Sequence, residues 1–134
     1  MANISEIEGI GPAYGEKLAG IGVNTVEKLL ERGASKKGRE EIAEAADVSE
    51  TLVLKWVNRA DLARIKGIGS EYADLLEGSG VDSVPELAQR NPANLAAKMV
   101  EVNREKSLVR QVPVESEVER WVAEAKVLGR VVTH

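Results

Sequence analysis

The sequence has no cysteine, no phenylalanine and a single histidine, which is its last residue, His134. Catalytic sites built on a reactive cysteine or on a histidine triad therefore lack their side chains, and so do zinc sites made of cysteine and histidine. No apolar run reaches the roughly 18 residues that a membrane-spanning helix needs. We expect a cytoplasmic protein with no membrane partner, no disulfide, no metal and no other cofactor.

Basic residues are fewer than acidic ones. The chain carries 18 Lys and Arg against 22 Asp and Glu, a net charge of −4, whereas domains that bind nucleic acid usually have a basic balance or a basic stripe. An enzyme would have to rely on carboxylates alone, and the acidic runs lie at surface spacings of helices with nothing to raise a pKa. We therefore expect no catalytic residue and no enzymatic activity.

What the sequence does have is an internal repeat. At an offset of 58 residues one copy matches the other, and past residue 53 the offset becomes 65. The second copy thus carries about seven extra residues, expected as a loop within 102–113. All four aromatic residues fall at matched positions, and we expect all four to be core anchors. The clearest matches are Ile7/Ile65, Gly9/Gly67, Ile10/Ile68, Gly11/Gly69, Tyr14/Tyr72, Val53/Val118, Trp56/Trp121 and Ala60/Ala125.

The apolar spacing is helical throughout, and no segment alternates as a strand does. Pro12 suits the start of a first helix, and Asn24 is expected to cap a second one that ends near Gly33. A third helix is predicted from about Ser35 to Ala46, and its counterpart opens at Asn91 and Pro92. The fourth, from about Ser49 to Arg64, has a stripe that the second copy repeats: Val53, Trp56, Val57, Ala60 and Ala63, with Val118, Trp121, Val122, Ala125 and Leu128.

Two short segments of the repeat have the form Gly-Ile-Gly followed by a helix. Glycine reaches the positive φ that a tight turn requires, and we expect the intervening Ile10 and Ile68 to enter the core. With no side chains in the way, the backbone amides at the start of the next helix can point at an anion. The turns Gly9-Ile10-Gly11 and Gly67-Ile68-Gly69 are therefore candidate phosphate grips. Alternatively, these glycines only permit close packing of helices.

These turns and their flanks resemble the helix-hairpin-helix motif of DNA repair and recombination proteins. Nearly the whole chain also resembles a bacterial family of tandem helix-hairpin-helix proteins, domain of unknown function 4332. The second resemblance rests on Asn58-Arg59-Ala60-Asp61-Leu62, Glu86-Leu87-Ala88-Gln89-Arg90-Asn91-Pro92 and the tail Arg130-Val131-Val132-Thr133. It implies two such units, residues 1–64 and residues 65–134, the second with the inserted loop and the tail. They would pack with pseudo-two-fold symmetry into one compact all-α domain that shares a core under both Trp side chains.

The resemblance also implies a lysine or arginine soon after the second glycine, and this sequence departs from it. Pro12 and Ala13 stand there in the first copy, Ser70 and Glu71 in the second. Glu8, Glu71 and Asp74 add negative charge near the turns. The compensating cations are expected to be Lys17 and Lys66, together with the basic run at the third helix, Lys36, Lys37 and Arg39. That run is equally typical of a solvated, mixed-charge helix.

Two functions remain open from the sequence. The first is weak contact with a nucleic-acid backbone, independent of base sequence, through both turns and the five cations named above. The second is a protein-interaction or scaffold domain that has kept the hairpin fold and lost its phosphate ligands, which the acidic balance favours. The inserted segment, with Arg104, Lys106 and Arg110, is a further surface that can reach a partner.

Overall fold

The computed structural model describes residues 3, 4, 7 and 9–133, and the described chain is all-α, as predicted. The described residues contain no strand, only one isolated bridge between Asn3 and Thr25. None of their helices is long and apolar enough to cross a membrane. The helices are α1 (Gly11–Gly20), α2 (Val26–Gly33), α3 (Lys36–Ala46), α4 (Glu50–Leu62), α5 (Ser70–Gly78), α6 (Val84–Ala88), α7 (Pro92–Lys106) and α8 (Glu115–Leu128).

The chain divides into two compact units that differ slightly from the two sequence copies. The first consists of Met1–Asp61 with Val131–His134, and the second of Leu62–Arg130. The C-terminal tail, which the repeat assigned to the second copy, thus belongs to the first unit. Contacts with the first unit hold it there: the Val132 side chain is 2% exposed within that unit's core, the Thr133 amide donates to the Ala34 carbonyl at 2.8 Å, and the Thr133 carbonyl accepts from Arg39.

Each unit has its own buried apolar cluster, so the single core expected under both Trp side chains is not what the described residues form. The reason is that each copy contributes enough apolar side chains to enclose one indole ring. Trp56 is 1% exposed and Trp121 is 0% exposed, each in a separate cluster. The first cluster includes Leu18, Leu29, Ile42 and Val57, and the second includes Leu76, Leu87, Met99 and Val122.

The helix starts follow local capping chemistry. Ser35 and Asn91 lie where helices were predicted to begin, and they cap α3 and α7 by accepting from the Gly38 and Asn94 amides at 3.0 and 3.1 Å. The predicted cap Asn24 is wrong, because α2 begins one residue later. Thr25 takes the extended backbone conformation of a cap, and its hydroxyl accepts from the Lys28 amide at 3.1 Å.

The longest apolar stripes, on α4 and α8, bury the positions that the repeat predicts, with two exceptions. Ala63 lies beyond the end of α4 and is exposed, and Leu128, the last residue of α8, is 36% exposed. Helix ends project past the core, so the stripe loses its burial there. Within the first unit α2 packs on α3 and α1 on α3; within the second, α8 packs on α6 and α7.

Candidate nucleic-acid interface

The first Gly-Ile-Gly turn has left-handed backbone at both glycines, with φ of +92° at Gly9 and +59° at Gly11. An L side chain rarely adopts such angles, which explains the residue type. The Ile10 side chain between them is 1% exposed, so the prediction that it enters the core is confirmed. Helix α1 receives no side-chain cap at its N-terminus, and its first amides are left for another acceptor. Glu8, expected beside this turn, lies outside the described residues.

The second turn is similar but not identical. Gly67 has φ of +96°, whereas Gly69 is extended, with φ −99° and ψ −169°. Ile68 is buried at 5% exposure, again as predicted, and α5 also lacks a side-chain cap. Glu71 is exposed in the first turn of α5, so the predicted departure from a basic residue there is a real feature of the surface. Negative charge at this helix start opposes an incoming anion.

A tilted aromatic pair accompanies each turn. The ring centroids of Tyr14 and Trp56 lie 5.2 Å apart, and those of Tyr72 and Trp121 lie 5.3 Å apart. Both Trp side chains are core anchors, as predicted. Tyr14 is not, because it is 36% exposed; Tyr72 is half-buried, and its hydroxyl donates to the Gln111 carbonyl at 3.2 Å. The phenol oxygen of tyrosine needs a polar partner or water, which keeps these rings at the edge of the core.

Each indole nitrogen lies close to the first glycine of a turn. A Cβ added at Gly9 would meet Trp56 Nε1 at 3.9 Å, and one added at Gly67 would meet Trp121 Nε1 at 3.2 Å. Both nitrogens are buried, and neither makes a hydrogen bond of good geometry within the part of the chain that the structure describes. Buried indole N–H groups usually find an acceptor, so an unpaired donor at each of the two matched turns is a candidate contact for a ligand.

In the first unit the cations predicted to assist the turn differ in exposure and in position. Lys17 is exposed, with its ammonium 6.0 Å from the centroid of the Tyr14 ring, so it lies on the same side of α1 as the aromatic pair. Lys36 and Lys37 are exposed at the start of α3, which packs on α1. Lys37 also borders an open depression of about 340 Å³ with mixed charge, lined by Arg32, Ser35, Lys37, Gly38 and Glu41.

Arg39 was predicted to assist phosphate binding, and its position in the structure contradicts this prediction. Its side chain is 5% exposed, and its guanidinium donates to three carbonyls: Gly33 at 2.9 Å, Ala34 at 3.0 Å and Thr133 at 2.6 Å. Desolvation by burial lowers the pKa of Arg39, although nearby Glu40 and Glu50 counter this. All its directed contacts are internal, so it clamps the C-terminal tail to the end of α2 and does not serve as a phosphate ligand on the surface.

The second unit places an unpredicted cation at its turn. Arg120 of α8 donates to the Lys66 carbonyl at 2.7 Å and pairs with Glu117 at 2.5 Å and Glu124 at 3.5 Å. A Cβ on Gly67 would lie 2.8 Å from its guanidinium. Lys66 itself is exposed. The repeat carries a signal for this cation, because the residue before each Trp is basic, Lys55 in one copy and Arg120 in the other.

The inserted segment is partly helix. Arg104 and Lys106 belong to the last turn of α7, while Arg110 is exposed in the connection that follows. This connection is fastened by Asn103, whose side-chain amide donates to the Val109 carbonyl at 3.1 Å and accepts from its amide at 2.9 Å. The connection between α7 and α8 covers residues 107–114, close to the predicted insertion of about seven residues within 102–113, and it is held against the unit at Val109.

Together, these features define a class of protein: an all-α chain with two glycine turns, each of which leads into an uncapped helix. The described residues contain no group of three or more His, Cys, Asp or Glu side chains arranged to hold a metal ion. The chain belongs to the family described as Domain of unknown function (DUF4332), whose sequence model matches residues 8–128. No curated protein and no solved structure matches the chain.

Proposed function

We propose that this protein is a non-enzymatic binding module of the helix-hairpin-helix kind, which contacts the backbone of nucleic acid without reading base sequence. The observation that carries the proposal is the same in both units. A glycine with positive φ, Gly9 or Gly67, forms a tight turn that leads into a helix with no side-chain cap. The backbone amides at such a helix start favour an oxyanion, and the helix dipole adds to the attraction.

Phosphate is the oxyanion that best fits the surroundings of the turns. Lys17 lies six residues past Gly11 in α1, with its ammonium 6.0 Å from the centroid of the Tyr14 ring, and Arg120 lies against the second turn. A phosphodiester has two non-bridging oxygens that share one negative charge, and they can accept from amides and a cation at the same time. Among the described residues no helix is positioned by these contacts to enter a groove, so the proposed contacts position the backbone and carry no sequence information.

Binding of this type is expected to be weak and strongly dependent on salt. The net charge is −4, Pro12 and Ala13 take the places where a cation would follow the first turn, and Glu71 takes one after the second. Arg39 is withdrawn from the surface by its internal hydrogen bonds. Because non-specific affinity comes from neutralised phosphates, few available cations mean few counterions released.

A protein-interaction role is the second candidate, and exposed apolar side chains favour it. Val127 near the end of α8 is 85% exposed, and Val114 just before α8 is 62% exposed. These side chains offer apolar area that a protein partner can bury and a phosphate backbone cannot. The acidic balance also suits a protein partner, because it repels nucleic acid at long range.

Fluorescence anisotropy with labelled duplex and single-stranded DNA separates the two candidates. We expect binding to both at low salt, weakened by Lys17→Glu and much less by the control Lys98→Glu, which makes the same charge change on an exposed residue of α7. Equal losses for the two variants would indicate a response to net charge alone. No binding to either DNA at low salt would refute the backbone-binding function and favour a protein partner.

A further inference from the structure

The helices that carry the two Trp residues differ in charge at matched positions. With the offset of 65 that pairs Trp56 with Trp121, Leu52 corresponds to Glu117, Lys55 to Arg120 and Arg59 to Glu124. These residues lie three and seven positions apart, so each set lies along one side of its helix. The first copy has two basic residues and no carboxylate there, whereas the second has one basic residue between two carboxylates.

In the second unit a carboxylate of the protein lies beside the turn. A Cβ on Gly67 would meet Glu117 Oε1 at 3.1 Å and Trp121 Nε1 at 3.2 Å. Arg120 holds this carboxylate at 2.5 Å while also donating to the Lys66 carbonyl. The pKa of Glu117 is lowered, chiefly by the hydrogen bond from Arg120. The second turn therefore already has an anion against it.

In the first unit, within the described residues, no carboxylate takes the corresponding place. Leu52 is half-buried and packs against the core cluster. Among the described residues other than its chain neighbours, a Cβ on Gly9 would meet Trp56 Nε1 at 3.9 Å, and a Cβ on Gly11 would meet nothing within 4 Å. Trp56 is 1% exposed, and its Nε1–H, like that of Trp121, finds no acceptor among the described residues; the units differ in the carboxylate beside the turn. A buried donor beneath an open turn is the complement of an oxyanion.

We propose that Glu117 is a built-in substitute for phosphate at the second turn, and that the first turn is the one that binds a phosphate group from outside. The bound phosphate accepts from backbone N–H groups in the first turn of α1, where Pro12 has none to offer, and from Trp56 Nε1–H. That nitrogen has almost no accessible surface, so the backbone at Gly9 shifts to admit the oxygen. This inference deepens the proposed function and rests on it for the identity of the ligand as a nucleic-acid phosphate.

The two Trp side chains allow a direct test, because the chain has one in each unit and no other. Two-dimensional ¹H–¹⁵N NMR shows one indole N–H signal for each, and the variant Trp56→Phe assigns them. Inorganic phosphate is titrated into the full chain, followed in separate samples by a short DNA duplex. We expect phosphate to shift the Trp56 signal and to leave the Trp121 signal in place.

Two reciprocal variants test the part played by Glu117. Glu117→Leu gives the second copy the side chain of the first, and we expect the Trp121 signal to become responsive to phosphate. Leu52→Glu gives the first copy the carboxylate of the second, and phosphate binding at Trp56 should weaken by about tenfold or more, the size of a charge-assisted hydrogen bond. Far-ultraviolet circular dichroism on both variants confirms that the helices are intact before the titrations are compared.

Each outcome decides something different. Equal shifts of both indole signals in the wild-type chain would overturn the inequality of the turns, and so would a Glu117→Leu variant in which the Trp121 signal stays unresponsive. No shift of the Trp56 signal would overturn the first turn as a phosphate site. If phosphate shifts Trp56 but DNA does not bind, the inference stands and the proposed function fails. If DNA binds while neither indole signal moves, the function stands on another surface and the inference fails.

Discussion

Replacement of Arg39 by alanine tests the clamp that holds the C-terminal tail. The guanidinium donates to the carbonyls of Gly33, Ala34 and Thr133, and the side chain is 5% exposed. Hydrogen bonds from a charged donor contribute about 1.5–3 kcal/mol each, and removal of a costly buried charge offsets part of the loss. We expect Arg39→Ala to lower the free energy of unfolding by about 3 kcal/mol, which is a large share of a small protein's stability.

Urea unfolding followed by circular dichroism measures this change. The control is Lys37→Ala on the same helix, whose exposed side chain should contribute within about 0.5 kcal/mol. Arg39→Lys keeps the charge but not the planar fork that reaches three carbonyls, so it should recover only part of the stability. A loss for Arg39→Ala no larger than that for Lys37→Ala would refute the clamp.

A double-mutant cycle connects the clamp to the tail. Deletion of residues 131–134 removes the Thr133 acceptor and the buried Val132 side chain. Arg39→Ala should then cost less in the truncated chain than in the full chain, by about 1 kcal/mol or more, because the two changes remove a shared contact. Additive losses would mean that Arg39 stabilises the end of α2 alone and that the tail is held by Val132.

The remaining predictions concern one close helix contact and one acidic group. A Cβ on Gly38 would lie 1.9 Å from the Arg32 carbonyl oxygen, so Gly38→Ala should lower the free energy of unfolding by about 1–3 kcal/mol. Gly20 has open space around it, so Gly20→Ala should be neutral or slightly stabilising. Urea unfolding of both variants measures the two changes. The pKa of Glu117 is lowered by its hydrogen bond from Arg120, so its contribution to stability is present above the ordinary pKa of glutamate and is lost as pH falls through the lowered pKa. Unfolding measured from neutral to acid pH should show this loss in the wild-type chain and a flatter acid limb in Glu117→Gln; identical limbs would contradict it.

The sequence predicted the all-α class because helical spacing and capping residues are local signals. Ser35 and Asn91 lie at the helix starts predicted for them, and Ile10 and Ile68 enter the core between their glycines. The prediction of Asn24 was wrong because the neighbouring Thr25 can also cap a helix, and which of two adjacent residues takes the extended conformation depends on the turn before it.

Contacts between residues far apart in the chain could not be predicted from the sequence. Arg39 was predicted as a surface cation because it stands in a basic run, but the acceptor that buries it, Thr133, is 94 positions away. The position of Arg120 at the second turn also depends on how α8 packs within its unit, not on neighbours in sequence. The repeat nevertheless held a usable signal, since it pairs Lys55 with Arg120 and Leu52 with Glu117. Comparison of charges at matched positions would have indicated that the two turns differ.

The salt dependence of DNA binding tests most directly whether one glycine turn of this protein binds backbone phosphate. Anisotropy titrations at several salt concentrations give the slope of log K against log [salt], which is about −0.9 for each phosphate neutralised on duplex DNA. We expect a shallow slope, about −1 to −2, that steepens by about one when Glu117→Leu frees the second turn. No binding, or a steep slope that Glu117→Leu leaves unchanged, would contradict it.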